Sequence, residues 1–571
     1  MTYLKNKAFL SKFKNNSLIF VIIFFPYLIS KIINHEKLVY IVSTFLLFLL
    51  FLLFRKNGLA AERYIKLFKN LETINIYFLY LGLLIFTIIT QNVYLDYETI
   101  SWDIPSYLVA SLPIGDGYLP YETQWESKGP VLMYIYYFLI SISGKSYIIF
   151  RLVNDFILFM ISIFLFKSVY KISNKNKVTS SMSSVLFLSL FSDPQYVSEY
   201  SELYILLFLS IATYLYIRDE FSYRNLFLIP LLISVTSLIN QVAVLFILPY
   251  FIIIYKNNLL NKNTIRRFSF GLFLPQLIIL SIYIVNNEYG VLIANYFLIP
   301  LGYTTSGDVN SFNELRIWLR EYFYINKFLY FSIFTLLSLE IFRLTKSFKF
   351  DKFSNIVHLN FIISIIIYLL GNHGYTHHLM YFVYFSMFFV ANIKFNNTYI
   401  VLFLFLLICS SSIFIKSFSK SYENLSNISS IQENYPIYKL SQEIDSQFKG
   451  EYNILALEYV LVLFYLDKPN YSYIVHPTNH FEEYIEGPLV QISKIENNNI
   501  EKLLLKEPDV IICNSMRIHR GVPTDNTDFK CDYEHYQKEY SQIETSVYRK
   551  DLKVEYYFDP YKNMNVFIKR G

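Results

Sequence analysis

Apolar runs of about 15 to 20 residues recur from Ser17 to about residue 416, separated by short polar stretches. A bilayer core takes about 20 apolar helical residues, so this rhythm predicts a polytopic helical membrane protein. The runs fall near Ser17–Ile33, Leu38–Phe54, Ile74–Asn92, Tyr147–Phe166, 178–192, 203–217, 225–239, 242–255, 269–286, 328–342, 356–370, 379–393 and 398–415, about 13 spans. Val131–Ser143 is short for a crossing and reads as an interfacial or re-entrant helix. Phe312–Tyr324 has the pattern of an amphipathic helix lying outside the spans.

Two stretches break the rhythm. The first is 102–130, WDIPSYLVASLPIGDGYLPYETQWESKGP, the long polar interruption of the front half, within a first outer loop of about 93–146. The second begins at about 417, where the composition changes and the remainder, 417–571, reads as soluble. Short strand candidates recur there at Tyr452–Leu457, Tyr471–Val475, Asp509–Cys513, Val554–Phe558 and Met564–Ile568, with helix-like Ile500–Leu505 between them. That alternation predicts a small α/β domain behind a transmembrane domain of 1–416.

Charge orients the pattern. Lysine and arginine are retained on the cytoplasmic face, so Lys5, Lys7, Lys12 and Lys14 place the N-terminus inside. The basic loops Arg55–Lys69, Lys167–Lys177 and Lys256–Arg267 follow inside, and the acidic 102–130 loop falls outside. An odd number of spans then carries the tail to the outside of the cell membrane. The chain is 54% hydrophobic and 16% charged. Its net charge of +6 sits largely in short loops and ends, so it reports orientation rather than nucleic-acid binding. With no convincing cleavage site after Leu18–Ser30, the first span reads as a retained anchor. Aromatic residues (54 Phe, 52 Tyr) are too common here to mark function. Of three cysteines, Cys409 lies in a span, while Cys513 and Cys531 either pair in an extracytoplasmic tail or stay as two thiols.

Candidate chemistry gathers on the outer face. Asp103, next to Trp102 at the outer end of the Ile74–Asn92 span, is a carboxylate able to take a proton from an acceptor hydroxyl, or a solvated loop acid. Asp116, in a Gly-Asp-Gly turn, fits the second reading. Lys128, in KGP, and Arg151, at an outer span end, are cations able to hold a phosphate or simply to sit among headgroups. His373, His377 and His378 cluster in GNHGYTHH. The glycines argue against a regular helix and no nearby carboxylate completes a metal set, so phosphate or substrate hydrogen bonding is favoured over metal, with packing at the interface the alternative.

At these residues the chain resembles the membrane glycosyltransferases of GT-C fold, in particular bacterial relatives of protein O-mannosyltransferases and lipid A aminoarabinose transferases. The resemblance rests on Asp103, Tyr107 four residues on, GYLPY at Gly117–Tyr121, ESKGP at Glu126–Pro130, Arg151-Leu152, and Tyr375–His378. The lysine motif reads KGP where KPP is commoner, and His378 stands where tyrosine is frequent. The resemblance implies inverting transfer of a sugar from a polyprenyl-phosphate donor to an extracytoplasmic glycan, lipid or protein. Asp103 would be the general base, Lys128, Arg151 and His378 would hold the donor phosphate, and Tyr107, Tyr121, Glu126 and His377 would line the substrate site. No cofactor is implied and no divalent metal is expected. A ligase or polymerase using lipid-diphosphate glycans, or a lipid or glycan transporter, are the rival readings. The first leaves the Asp103–Lys128 loop unexplained. Transport would favour internal repeats and ionisable residues deep within spans, whereas no clear repeat is seen and the notable ionisable residues lie at span ends. A membrane scaffold with a soluble binding tail would make no demand on Asp103.

Overall fold

The computed structural model describes residues 72–98, 101, 103–193, 196, 199–305, 352–370, 376–392, 414–415, 417–514, 518–519, 522–523, 531, 533–545 and 564–570, and single helical positions within 333–341. The runs at Ser17–Ile33 and Leu38–Phe54, most of 328–342 and 398–415, the Phe312–Tyr324 and Val554–Phe558 candidates, and Trp102, His373 and Tyr375 lie outside the described residues.

Helices occupy nearly all the remaining apolar runs. They are Ile76–Gln91, Tyr147–Ile172, Lys177–Leu190, Ser201–Asp219, Asn225–Ser237, Ile247–Lys256, Lys262–Val285 and Lys352–Leu370, with a mixed 3-10 and α segment over Thr376–Asn392. Among the described residues, four segments have the length and apolarity to cross a membrane: Ile76–Tyr94, Tyr147–Ile172, Ser201–Asp219 and Lys262–Val285. Several of the helix starts follow from capping. Asn75, Ser146, Asn176 and Asn261 each accept a backbone N–H of the first turn, satisfying donors that a helix start leaves open. The short run predicted over Val131–Ser143 is a 14-residue helix, Pro130–Ser143, opened by proline and closed by Gly144 at φ 58°.

The tail forms a four-stranded mixed sheet. Ile454–Ala456 pairs parallel with Val510–Asn514, which pairs antiparallel with Met564–Lys569, and that strand pairs with Tyr540–Gln542. Helices Leu461–Leu466, Glu483–Gln491 and Asn499–Leu505 lie between the two parallel strands. A disulfide joins Cys513 to Cys531, resolving the two readings of these cysteines. The Tyr471–Val475 candidate is not a strand of the sheet; its Tyr471 N–H donates to the Ile454 carbonyl at 2.9 Å, and Ile474 forms a parallel bridge with Trp125.

That bridge is one of several pins between tail and membrane domain. Glu98, buried in the outer loop, accepts the N–H groups of Ile437 and Tyr438 at 2.7 and 2.9 Å, capping the Pro436–Ser446 helix. Asn424 donates to the carbonyls of Asn92 and Val93 at 2.8 and 3.0 Å. The tail is therefore packed onto the segment that the sequence reads as the first outer loop.

Candidate active site

The segment around Asp103, expected as a loop, is a helix over Asp103–Ser111 whose residues from Ile104 on are all buried. Asp103 occupies its first turn, where the helix dipole favours a negative charge. Its N–H donates to Ser101 Oγ at 3.2 Å. Tyr107, one turn on, is buried edge-to-face against Tyr136 with ring centres 5.5 Å apart.

The loop returns through residues 119–130. Glu122 accepts the Leu119 N–H at 2.8 Å, and the Tyr283 hydroxyl donates to the Pro120 carbonyl at 2.6 Å. Tyr121 takes a left-handed φ of 65°, and its fully buried ring donates its hydroxyl to the Lys128 carbonyl. Gly129 explains the KGP spelling. Its N–H donates to the Ile239 carbonyl at 2.9 Å, and a Cβ there would lie 2.1 Å from the Leu238 carbonyl oxygen. Proline at 129 would remove the donor and meet that oxygen.

The tail lies along this strip. Trp125 N–H donates to Tyr473 O at 2.7 Å and Val475 N–H to Trp125 O at 3.2 Å. Gln124 accepts from Asn470 N–H at 2.9 Å and donates to the carbonyls of Asn470 and Ser472 at 3.0 and 3.2 Å. The Tyr473 hydroxyl donates to Tyr121 O, and Lys494 donates to Glu122 O at 2.8 Å. This pairing brings His476 to Asp103, with Nε2 2.9 Å from Oδ1. His476 Nδ1 lies 3.3 Å from the Thr478 backbone nitrogen and 2.9 Å from Thr478 Oγ1. In the neutral ring Nδ1 accepts from Thr478 and the proton on Nε2 points at Asp103; in the protonated ring Nε2 still donates to Asp103 and Nδ1 donates to Thr478 Oγ1.

The electrostatics separate two carboxylates of one loop. Burial would raise the Asp103 pKa, but the His476 hydrogen bond and the charges of His476, His377 and Lys128 hold it below the usual carboxylate range. Burial would lower the His476 pKa, but its bond to Asp103 and the charges of Glu126, Asp103 and Glu458 raise it. Glu126, 1% exposed, is raised by burial, against the lowering effect of His476 and Ser127. Its Oε1 accepts from the Ser127 N–H and hydroxyl, both at 2.8 Å, while no hydrogen-bond donor among the described residues reaches Oε2.

His377 is within electrostatic reach of Asp103, Lys128 and Glu202, and its ring stacks on Tyr200 at 4.3 Å. His378 faces Glu202, Nε2 to Oε1 at 3.7 Å. Arg151 is placed differently. Its guanidinium is buried, donating from one nitrogen to the carbonyls of Tyr94 and Tyr97 at 2.9 Å each, with Nε 3.7 Å from Glu199. It braces the start of the outer loop. Of the sequence candidates, Asp103, Tyr107, Glu126, Lys128 and His377 thus share one electrostatic neighbourhood, with His378 beside it, whereas Tyr121 and Arg151 are tied to backbone carbonyls. Sequence reasoning missed His476 and Thr478. Their one signal was a histidine directly after a strand candidate.

No protein-family model matches the chain, and no curated protein matches it by sequence. Its fold does have solved counterparts. ArnT from Cupriavidus metallidurans bound to undecaprenyl phosphate aligns with a TM-score of 0.55 at 10% identity, over 86% of this chain and 97% of that one. The apo state of the same protein aligns with a TM-score of 0.50 at 9% identity over the same shares. ArnT is a lipid A aminoarabinose transferase of the GT-C class, so the fold resemblance drawn from the motifs holds in three dimensions.

Proposed function

We propose that this protein is an integral membrane glycosyltransferase that moves a sugar from a polyprenyl-phosphate donor to an acceptor hydroxyl outside the cytoplasmic membrane, with inversion. The observation that carries the reading is Asp103, held by His476 at 2.9 Å within electrostatic reach of Lys128, on an ArnT-like fold. The undecaprenyl phosphate bound to that ArnT supports a polyprenyl-phosphate ligand here. The Cys513–Cys531 disulfide supports an oxidising, extracytoplasmic setting for the tail. The acceptor is a glycan, lipid or protein of the cell envelope.

In this reading the acceptor oxygen attacks the anomeric carbon while the bond from that carbon to the phosphate oxygen breaks. The electron pair leaves with the phosphate, and the Lys128 ammonium offsets the charge that develops there, with His377 and His378 flanking. Asp103 has a low pKa and is a weak base toward a free hydroxyl. It is sufficient here, because the acceptor oxygen becomes strongly acidic as its new bond forms, and Asp103 then takes the proton. Tyr107 and Glu126 shape the wall behind it, and Tyr121 and Arg151 hold the loop that carries Lys128 and Asp103.

The test is transfer from a panel of radiolabelled polyprenyl-phosphate sugars by protein purified into lipid nanodiscs, with envelope extract as acceptor. Transfer by the wild type that vanishes in a folded Asp103→Asn variant is the expected result. Transfer that survives the substitution removes Asp103 from this role.

A further inference from the structure

We propose that Glu202, His377 and His378 form a binding site for a divalent transition-metal ion of the zinc type. The three residues come from two elements, the first turn of the Ser201–Asp219 helix and the 3-10 turn Thr376–Leu379. One ligand atom from each lies within 4.8 Å of the others. Tetrahedral zinc with bonds of about 2.0–2.1 Å separates its ligands by about 3.4 Å, so small side-chain rotations close the set. The pair His378 Nε2 and Glu202 Oε1, at 3.7 Å, is already near that spacing.

A second observation points to a cation. Glu202 is 1% exposed, and among the described residues no hydrogen-bond donor reaches its Oε1. A buried carboxylate oxygen left in that state is costly unless positive charge compensates it. Its other oxygen accepts the Ser201 hydroxyl at 3.0 Å, which fixes the carboxylate as outer hydrogen bonds fix metal ligands. The His377 ring is held flat against Tyr200 and stands at 82° to His378, so the two imidazoles approach from different directions. Two imidazoles and one carboxylate suit a borderline ion better than magnesium or calcium, and three protein ligands leave a fourth position for an oxygen ligand. Neither the adjacent histidines nor the distant Glu202 reads as a metal motif in sequence.

Metal retention can be read without sugar transfer, so this inference and the glycosyltransferase reading fail separately. Protein carrying a histidine-free affinity tag is incorporated in nanodiscs, loaded with zinc, dialysed, and its metal content measured. About one equivalent is expected in the wild type, reduced at least about tenfold in Glu202→Gln and in His378→Ala. Zinc-edge X-ray absorption of the wild type needs no variant and is expected to show two imidazoles bound to the metal. A wild type that retains no zinc, variants that retain it at the wild-type level, or a bound metal without imidazole would overturn the proposal.

Discussion

Two of the contacts between the 93–146 segment and the tail are built differently. Along 119–130 the contact is mostly backbone, Trp125 with Tyr473 and Val475, reinforced by Gln124, whose amide satisfies Asn470 and Ser472. At Asp103 the contact is one side-chain pair, carboxylate to imidazole, at 2.9 Å. A backbone contact tolerates most sequences and carries no charge. A side-chain ion pair is replaceable by a neutral isostere with little change in shape, and what changes is protonation. Under the proposed function the first contact is scaffold and the second is chemistry. Substitutions in the two should fail in different ways.

The largest separation is expected from Asp103→Asn. Transfer should fall by about 10²–10⁴-fold, the span general-base catalysis covers, while the thermal unfolding midpoint stays close to the wild type. The opposite failure is expected from Gly129→Pro. It loses a backbone donor and drives ring atoms into the Leu238 carbonyl. A destabilisation of about 3 kcal/mol or more and poor yield of folded protein are expected in denaturation of the nanodisc-held protein. Cys513→Ser should cost about 3 kcal/mol for a loop of this length. The loss, from the 18-residue separation it leaves open, should show in melting of the tail under non-reducing conditions. Gln124→Ala should cost about 1–3 kcal/mol. It strands the buried amide of Asn470 and two carbonyls. It is expected to loosen the 470–476 strip in hydrogen exchange and to lower transfer only as far as His476 is displaced.

Much of this site is legible in the sequence, for reasons that are local. Asp103, Glu126 and Lys128 lie in one polar stretch between apolar runs, and charge bias alone assigns their face. His377 and His378 lie on the same predicted face, which brings them to the group by topology. His476 is 373 positions from Asp103 and belongs to the tail, and no local pattern encodes a contact made by docking one domain on another. The same limit affects Arg151 and Tyr121. Charge and aromaticity suggest ligands, but only packing shows that their polar atoms are spent on the carbonyls of Tyr94, Tyr97 and Lys128. The Asp103–Ser111 helix is hidden because nine residues with a proline at the third carry too little periodicity to predict one. The glycine of KGP is visible as a departure from the resembled motif. Its cause, the Leu238 carbonyl from another helix, is not.

The central claim is that the tail domain completes the active site by holding Asp103 ionised through His476. Its most direct test is the pH dependence of kcat/KM for transfer, wild type against His476→Gln. Asp103 acts only when ionised, so the wild-type rate should fall on the acid side below the usual carboxylate range, where His476 has held its pKa. Without that partner, burial acts on Asp103 with less opposition and its pKa rises. The acid limb of His476→Gln is therefore expected to move to higher pH, with a smaller rate loss on its plateau than Asp103→Asn shows. An acid limb that stays where it is in the wild type would contradict the claim and leave His476 a contact of the scaffold.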